Sequence, residues 1–197
     1  MKIVEPKIEL LWITENPLQV IEKSARTCYK SESAIKEGSA EIMVKKLVEL
    51  GHTAMLEHAT ASYRVTTDRG VSHEIVRHRA GCSYAQESTR YCNYNNKGME
   101  FIRPSFWEKD SKEYADWETF MSVCEIAYIE LISNGATPEQ ARSVLPNSLK
   151  TEIVMTFNFR AWLHFFNLRT ALTAHPDIRV IANLLRNDLR SQVSCIF

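Results

Sequence analysis

Alternating apolar and polar positions predict strands in four parts of the chain. Residues 2–13 alternate in part, and residues 59–66 alternate throughout, with an apolar side chain at every odd position. A period of two is typical of a strand that buries one face. Residues 151–157 are β-branched and apolar, and residues 99–102 form a short apolar run before Pro104. We therefore predict four strands, of which the one over 59–66 is half-buried.

Apolar positions three and four residues apart predict helices in the intervening segments. Asn16-Pro17 begins the first helix, Gly51 ends the second, and Asn134-Gly135 ends the longest. Thr137-Pro138 begins another, because a capping hydroxyl precedes a proline suited to the first turn. The predicted helices span residues 17–29, 39–50, 71–76, 105–133, 158–169 and 175–193, and one begins at 137.

The composition is that of one globular domain covering residues 1–197. The apolar content of 45% is ordinary, and no linker, repeat or compositional break divides the chain. The 24 basic and 24 acidic residues give a formal net charge of zero. A general nucleic-acid binder normally carries a basic excess. We therefore expect the cationic groups here to serve a small ligand and not a nucleic acid.

The N-terminal segment and the cysteines indicate the compartment. Residues 1–17, MKIVEPKIELLWITENP, are too charged for a signal peptide, and no apolar run is long enough to span a bilayer. The five cysteines include no Cys-x-x-Cys pair, which argues against a disulfide framework and against a zinc ribbon. We therefore expect a cytoplasmic protein with reduced thiols and no membrane contact.

The strongest candidate for chemistry is residues 76–94, VRHRAGCSYAQESTRYCNY. Arg77, Arg79 and Arg90 surround serine and threonine hydroxyls, and guanidinium groups bind phosphates and other anions bidentately. If the preceding helix continued through them, Arg77 and Arg79 would lie on different faces and hold different groups. The segment predicts an anion site. The alternative is a solvated helix C-terminus that stops at Gly81, since the helix dipole alone favours cations there.

Several motifs together resemble the flavin-dependent thymidylate synthases. Arg-His-Arg at 77–79 is followed by eight residues, Ser88 and Arg90, whereas the family pattern usually has seven residues before the serine. We place the extra residue in 80–82, where glycine can absorb an altered bend. The other motifs are Gly-His and Glu-His within 51–58, Ala-Arg-x-x-Leu-Pro at 141–146, and Asn-x-Arg followed by Asn-Leu-Arg within 158–169.

The resemblance implies a role for each matching side chain. Positions implied to contact the flavin are His52, Arg77, His78, Arg79, Gln86, Asn158, Arg160 and His164. Positions implied to bind the nucleotide are Glu74, Arg77, Gln86, Glu87, Ser88, Thr89, Arg90, Arg142 and Arg169. Arg169 is also implied to be catalytic, acting on the uracil ring. Relatives often have Gln at the position of Glu74, and some have Asn at that of His164.

The resemblance also implies the reaction, the fold and the assembly. The reaction would be reductive methylation of deoxyuridine monophosphate (dUMP) to deoxythymidine monophosphate (dTMP), with methylenetetrahydrofolate as carbon donor and NAD(P)H as reductant through FAD. The fold would be α+β, a single domain with a mainly antiparallel sheet packed by long helices. Relatives are homotetramers with sites between subunits, so the same assembly is implied, without a metal. No cysteine lies in a recognisable nucleophile context, which favours an electrostatic role for Arg169.

Other functions fit parts of the sequence. His52 and His58 could ligate a metal, although no nearby Cys or Asp completes a site of the usual spacing. A non-catalytic nucleotide- or RNA-binding module would use the arginines with Tyr84, Tyr91 and Tyr94 as stacking platforms. An inactive flavin-binding relative would result if the longer spacer disrupted the site.

Overall fold

The computed structural model, which describes residues 1–95 and 98–197, contains both strands and helices. The strands are β1 (Lys2–Val4), β2 (Lys7–Ile13), β3 (Thr60–Asp68), β4 (Cys82–Gln86), β5 (Glu100–Ile102) and β6 (Lys150–Asn158). The α-helices are α1 (Pro17–Thr27), α2 (Ser39–Glu49), α3 (Arg69–Ile75), α4 (Lys112–Ser133), α5 (Pro138–Ala141), α6 (Phe159–Arg169) and α7 (Pro176–Gln192). Short 3-10 helices cover Glu32–Ala34, Thr53–His58 and Arg142–Val144.

A four-stranded antiparallel sheet in the order β2-β3-β6-β4 forms the centre of the fold. The inner strands β3 and β6 pair along their whole length, from Thr60 opposite Asn158 to Asp68 opposite Lys150. Each continues directly into a helix, β3 into α3 and β6 into α6. Because the two strands are antiparallel, these helices begin at opposite ends of the sheet. The sheet therefore confirms the predicted antiparallel α+β architecture.

The predicted single strand over 2–13 is wrong, because the structure divides it into β1 and β2. Residues Glu5-Pro6 separate the two strands, and proline has no N–H to donate to a β-ladder. β1 leaves the central sheet and pairs in parallel with β5, with Lys2 opposite Glu100. The predicted loop over 94–97 includes residues 96 and 97, which lie outside the described residues.

β3 is more buried than its alternating pattern predicted. Ser62 and Thr66, expected on the exposed face, are 1% and 4% exposed. The Ser62 hydroxyl oxygen accepts a hydrogen bond of 2.8 Å from the Thr156 hydroxyl on β6. A buried polar side chain is tolerated when it has such a partner. Polar residues in β3 therefore do not mark a solvent face.

The longest helix, α4, is shorter at its start than predicted. The apolar pattern predicted a start at residue 105, whereas the helix begins at Lys112. The Ser111 hydroxyl caps it by accepting a hydrogen bond of 3.1 Å from the Tyr114 backbone N–H. The rings of Phe106 and Trp107 pack together in the preceding loop, 4.9 Å apart. These loop aromatics extended the apparent helical pattern.

α6 packs an aromatic face against the central sheet. Phe159, Trp162 and Phe165 are completely buried, and the Trp162 ring lies 4.6 Å from that of Phe157 on β6. Burying each such side chain stabilises the fold by about 1.5–3 kcal/mol. The opposite face of the helix carries exposed His164. The core contacts of α6 thus fix which of its side chains face outward.

α4 has one buried and one exposed apolar face. The buried face packs on a second cluster around β5 and consists of Tyr114, Trp117, Met121 and Tyr128. The outer face exposes Phe120, Val123 and Ile126 at 64%, 55% and 55%. A continuous apolar stripe of this kind is typical of an interaction surface. Within the described residues, none of the helices is both long and apolar enough to cross a membrane.

Candidate active site

The Arg-His-Arg segment lies in a turn after α3 and not within the helix. Asp68 caps α3, because its Oδ1 accepts a hydrogen bond of 2.7 Å from the Val71 backbone N–H. The helix ends at Ile75. The Tyr84 hydroxyl on β4 lies 2.9 Å from the Ile75 carbonyl oxygen and 2.6 Å from that of His78. The turn is therefore anchored to the sheet. It is not the solvated helix C-terminus that was the alternative interpretation of this segment.

Gly81 holds this turn against the start of α6. Its φ of +71° is in the left-handed region that favours glycine. A Cβ added at this position would lie 2.8 Å from the Cγ of Asn158. The Gly81 carbonyl oxygen also accepts a hydrogen bond of 3.0 Å from the Asn158 backbone N–H. The close approach of the turn to Asn158 requires glycine at position 81. This position lies in segment 80–82, to which we assign the extra residue of the signature.

The polar run after the turn forms the edge strand β4, which the sequence analysis did not predict. β4 pairs with β6 from Cys82 opposite Phe157 to Gln86 opposite Ile153. Its four residue steps of about 3.3 Å separate the two ends by roughly 13 Å. Within one chain, the turn before β4 and the polar residues after β4 therefore lie at opposite ends of the strand.

Two adjoining cavities lie where the turn meets α6. The first has a volume of about 290 Å³ and is lined by Arg77, His78, Arg79, Ala80, Cys82, Ala161, His164, Leu168 and Arg169. The second has a volume of about 360 Å³ and is lined by Glu57, Ala80, Gly81, Asn158, Arg160, Ala161 and His164. The structure thus brings together, of the residues that we singled out, Arg77, His78, Arg79, Asn158, Arg160, His164 and Arg169.

Arg169 is hydrogen-bonded at all three of its guanidinium nitrogen atoms. Nε donates to Nε2 of His78 at 3.0 Å. Nη1 donates to the carboxylate Oε2 of Glu74 at 2.7 Å, and Nη2 donates to the backbone carbonyl oxygen of Glu74 at 3.0 Å. The side chain remains 19% exposed and lines the first cavity. A preorganised cation in this position can stabilise negative charge on a bound ligand.

His78 is a neutral acceptor in this arrangement. Its buried ring lies 5.6 Å from that of His164 and 5.0 Å from that of Phe165. Burial, together with the nearby Arg169 and His164, lowers the pKa of His78 to about 4. Because Nε2 accepts the hydrogen bond from Arg169, the proton of the neutral ring lies on Nδ1. His78 therefore orients Arg169 and does not donate a proton to it.

The second cavity is built at the first turn of α6. Asn158 caps the helix, because its Oδ1 accepts a hydrogen bond of 2.8 Å from the Ala161 backbone N–H. Arg160 forms an ion pair of 2.6 Å with Glu57, and both side chains are about half exposed. Our sequence analysis left Glu57 out of the site, although its place in the Glu-His motif was a usable signal. Cys82 lies within the signature segment, where we expected it to flank the site, and it lines the first cavity.

Gln86 and Glu87 lie at the far end of β4, away from the Arg-His-Arg turn. Nε2 of Gln86 donates to the hydroxyl oxygens of Ser72 at 2.8 Å and Thr151 at 3.2 Å. Glu87 accepts a hydrogen bond of 3.3 Å from Nζ of Lys150. Gln86, Glu87 and Lys150 line a cavity of about 440 Å³ on the sheet. The structure therefore does not place Gln86 in the cavities beside the turn.

Of the other predicted nucleotide-binding residues, Ser88, Thr89 and Arg90 follow β4 in the chain, and Arg142 follows α5. The Ser88 hydroxyl oxygen accepts a hydrogen bond of 3.3 Å from the Arg90 backbone N–H. Arg90 forms an ion pair of 3.0 Å with Glu139 on α5, and exposed Arg142 follows at the end of that helix. Thr89 is buried. Within one chain, the predicted nucleotide-binding residues thus form two separate groups.

His52 lines neither cavity beside the turn. It is exposed and precedes the 3-10 helix Thr53–His58. The cavity beside it has a volume of about 340 Å³ and is mainly apolar. That cavity is lined by Ala25, Cys28, Tyr29, Met43, Leu47, His52, Ala54 and Met55.

The three tyrosines considered as stacking platforms are not equivalent. The Tyr84 ring packs edge-on against Phe157, with centroids 5.7 Å apart, and its hydroxyl anchors the turn. The Tyr94 hydroxyl donates a hydrogen bond of 2.9 Å to Glu87. Of the three, Tyr91 alone is well exposed, at 79%. This arrangement provides no row of open rings on which successive bases could stack.

Comparison with known proteins agrees with the motifs. A family model described as thymidylate synthase complementing protein matches residues 9–193. The flavin-dependent thymidylate synthase of Geobacter sulfurreducens is 34% identical over 183 residues, which cover 89% of this chain and 78% of that protein. The enzyme of the same name from Pyrococcus furiosus is 34% identical over 185 residues, covering 89% and 75%. This chain belongs to the flavin-dependent thymidylate synthase family.

A solved structure shares the fold of this family member. The UMP/dUMP methylase PolB of Streptomyces cacaoi, solved with 5-Br dUMP, superposes with a TM-score of 0.84 at 23% identity. The match covers 100% of this chain and 95% of that chain. The predicted family and the predicted fold are both confirmed.

For a flavin-dependent thymidylate synthase, the charge of the cavities fits a flavin nucleotide. None of the described residues that line the first cavity carries a carboxylate, whereas Arg77, Arg79 and Arg169 are cationic there. The second cavity adds Arg160 and one carboxylate, Glu57, and these two side chains are paired with each other. A cationic wall of this kind suits the phosphate groups of a flavin nucleotide.

Proposed function

We propose that this chain is a flavin-dependent thymidylate synthase, which methylates dUMP to dTMP with FAD, NAD(P)H and methylenetetrahydrofolate. The observation that carries the proposal is one cavity lined both by the Arg-His-Arg turn and by Arg169. His78 and Arg169 are 91 residues apart in sequence and hydrogen-bonded in the fold. The names of the relatives support flavin dependence, and the 5-Br dUMP bound to the superposed methylase supports a uridine nucleotide as substrate.

The chain's own residues would hold FAD around the glycine turn. Arg77, Arg79 and Arg160 would bind its phosphates, and Asn158 and His164 would contact polar atoms of its rings. When bound, the flavin supplies the redox chemistry of the reaction. The protein supplies position, charge and exclusion of water.

Arg169 would activate the pyrimidine electrostatically. Its guanidinium, oriented by His78, would stabilise negative charge on the uracil ring. Cys82 lines the same cavity, but burial raises the pKa of its thiol and its Sγ donates to the Ala80 carbonyl oxygen at 3.3 Å. A protonated thiol is a poor nucleophile. These contacts favour the electrostatic route over addition of a thiolate to the ring.

We propose that the complete site forms between subunits of a homotetramer. Arg169 lies at one end of β4, and the hydroxyls of Ser88 and Thr89 and the guanidinium of Arg90 lie beyond the other. One nucleotide would then bind the Ser88–Arg90 segment and Arg142 of one subunit and Arg169 of another. The exposed apolar stripe on α4 supplies a surface for assembly. Such a protein would be cytoplasmic and would act on small molecules.

An absorbance experiment tests the proposal directly. The purified protein would be examined for a flavin spectrum and then mixed anaerobically with NADPH, with and without dUMP. We expect a flavin band that bleaches in a nucleotide-dependent manner, followed by dTMP when methylenetetrahydrofolate is added. A colourless protein that FAD cannot reconstitute would refute the proposal. Flavin binding without turnover would identify the inactive relative instead.

A further inference from the structure

The guanidinium of Arg169 is already paired with an acceptor from its own chain. Three of its five N–H groups have partners, and both terminal nitrogens face Glu74. Glu74 is on the last turn of α3 and Arg169 is the last residue of α6. Within the described residues, Glu74 is the only carboxylate paired with this guanidinium. At each terminal nitrogen, one N–H is therefore already bound to Glu74.

The two partners of Arg169 differ in their freedom to move. His78 is 6% exposed, and its backbone carbonyl is anchored by Tyr84, so it cannot leave Arg169 easily. The Glu74 side chain is 33% exposed and, apart from Arg169, no described residue holds its carboxylate. Glu74 can therefore turn into solvent while His78 keeps Arg169 in place.

We propose that Glu74 competes with the uracil ring for Arg169, so that the Glu74 to Arg169 ion pair must open for the nucleotide to bind. This inference rests on the proposed function. The ring oxygens of uracil and the carboxylate of Glu74 are both acceptors, and they cannot share the same N–H groups. Glu74 is thus a positioning residue that holds Arg169 in the empty site and lowers nucleotide affinity.

The substitution Glu74→Gln tests the inference, because it keeps the size of the side chain and removes its charge. The dissociation constant for dUMP would be measured by calorimetry on FAD-loaded protein. We expect Glu74→Gln to bind dUMP about five- to tenfold more tightly, since the competing bond to a charged group is weakened. Glu5→Gln is the matched control, because it neutralises the ion pair of 2.6 Å with Arg103 away from both cavities. The control should bind dUMP like the unmodified protein.

A double variant shows whether the effect passes through Arg169. In an Arg169→Ala background, Glu74→Gln should no longer change the affinity for dUMP, since the competition has been removed. Unchanged or weaker binding by Glu74→Gln, with flavin content and melting temperature preserved, would overturn the inference. A merely structural role would lower flavin content or melting temperature without tightening dUMP binding. If the unmodified protein binds neither FAD nor dUMP, the proposed function itself fails.

Discussion

Replacing Gly81 by alanine should destabilise the protein through two separable effects. Alanine in the left-handed conformation costs about 1–2 kcal/mol. The new Cβ would also lie 2.8 Å from the Asn158 Cγ, so the side chain that caps α6 must move. Loss of a cap costs about 1 kcal/mol. We therefore expect Gly81→Ala to lower the free energy of unfolding by about 2–3 kcal/mol.

Gly135→Ala is a matched control for the backbone term. Gly135 has a φ of +92°, and nothing lies within 4 Å of an added Cβ. Its substitution should cost only the conformational strain, so Gly81→Ala should melt about 2–4 °C lower than the control at the same protein concentration. Thermal unfolding followed by circular dichroism would measure both. Equal losses in the two variants would refute the argument that the Gly81 turn is packed against Asn158.

Three further changes test other contacts. Arg169→Ala should abolish dTMP formation while the flavin spectrum is retained, and measurable turnover in that variant would contradict its catalytic role. Tyr63→Phe removes a hydrogen bond of 2.6 Å to Asp188 and should lower the free energy of unfolding by about 1 kcal/mol, which urea denaturation would measure; no change would show that the bond adds no stability. His78 has its pKa lowered to about 4, so its neutral form stabilises the fold above pH 6.5, and this contribution, at most about 3 kcal/mol, is lost as pH falls toward 4. Burial raises the pKa of Asp68 to about 6, so Asp68 stabilises the fold as pH falls, which is the opposite effect. The variant His78→Gln lacks the contribution of His78 and keeps that of Asp68. Identical profiles of stability against pH for the variant and the unmodified protein would refute the prediction.

Local signals in the sequence located most helices and strands. α5 begins at Pro138 after Thr137, as the capping residues predicted, and the two inner strands lie where apolar and β-branched residues predicted them. Pro6 was a local signal that could have separated β1 from β2, whereas the pairing of β1 with β5 depends on a partner distant in sequence. β4 was missed because it is a short edge strand without apolar alternation: its less exposed positions include the polar Gln86, and its exposed positions include the apolar Ala85.

The family motifs indicated which residues to examine but not how they meet. The partners of Arg169 are 95 and 91 residues away in sequence, so no spacing could predict that Glu74 and His78 contact it. The same limit applies to Gln86, whose bonds to Ser72 and Thr151 depend on the register of β4 with β6. Contacts that depend on tertiary packing are not encoded in a short motif.

The position of β4 determines where the signature can change in length. A residue inserted before Cys82, in the turn at 80–81, lies outside the β-ladder, so the pairing of Cys82 with Phe157 and of Gln86 with Ile153 is preserved. An insertion between Cys82 and Tyr84 would instead turn Tyr84 to the other face of the strand, because side chains alternate along it. Tyr84 would then no longer face the turn that its hydroxyl anchors. Loop-length variants of this protein should therefore be tolerated before Cys82 and not after it.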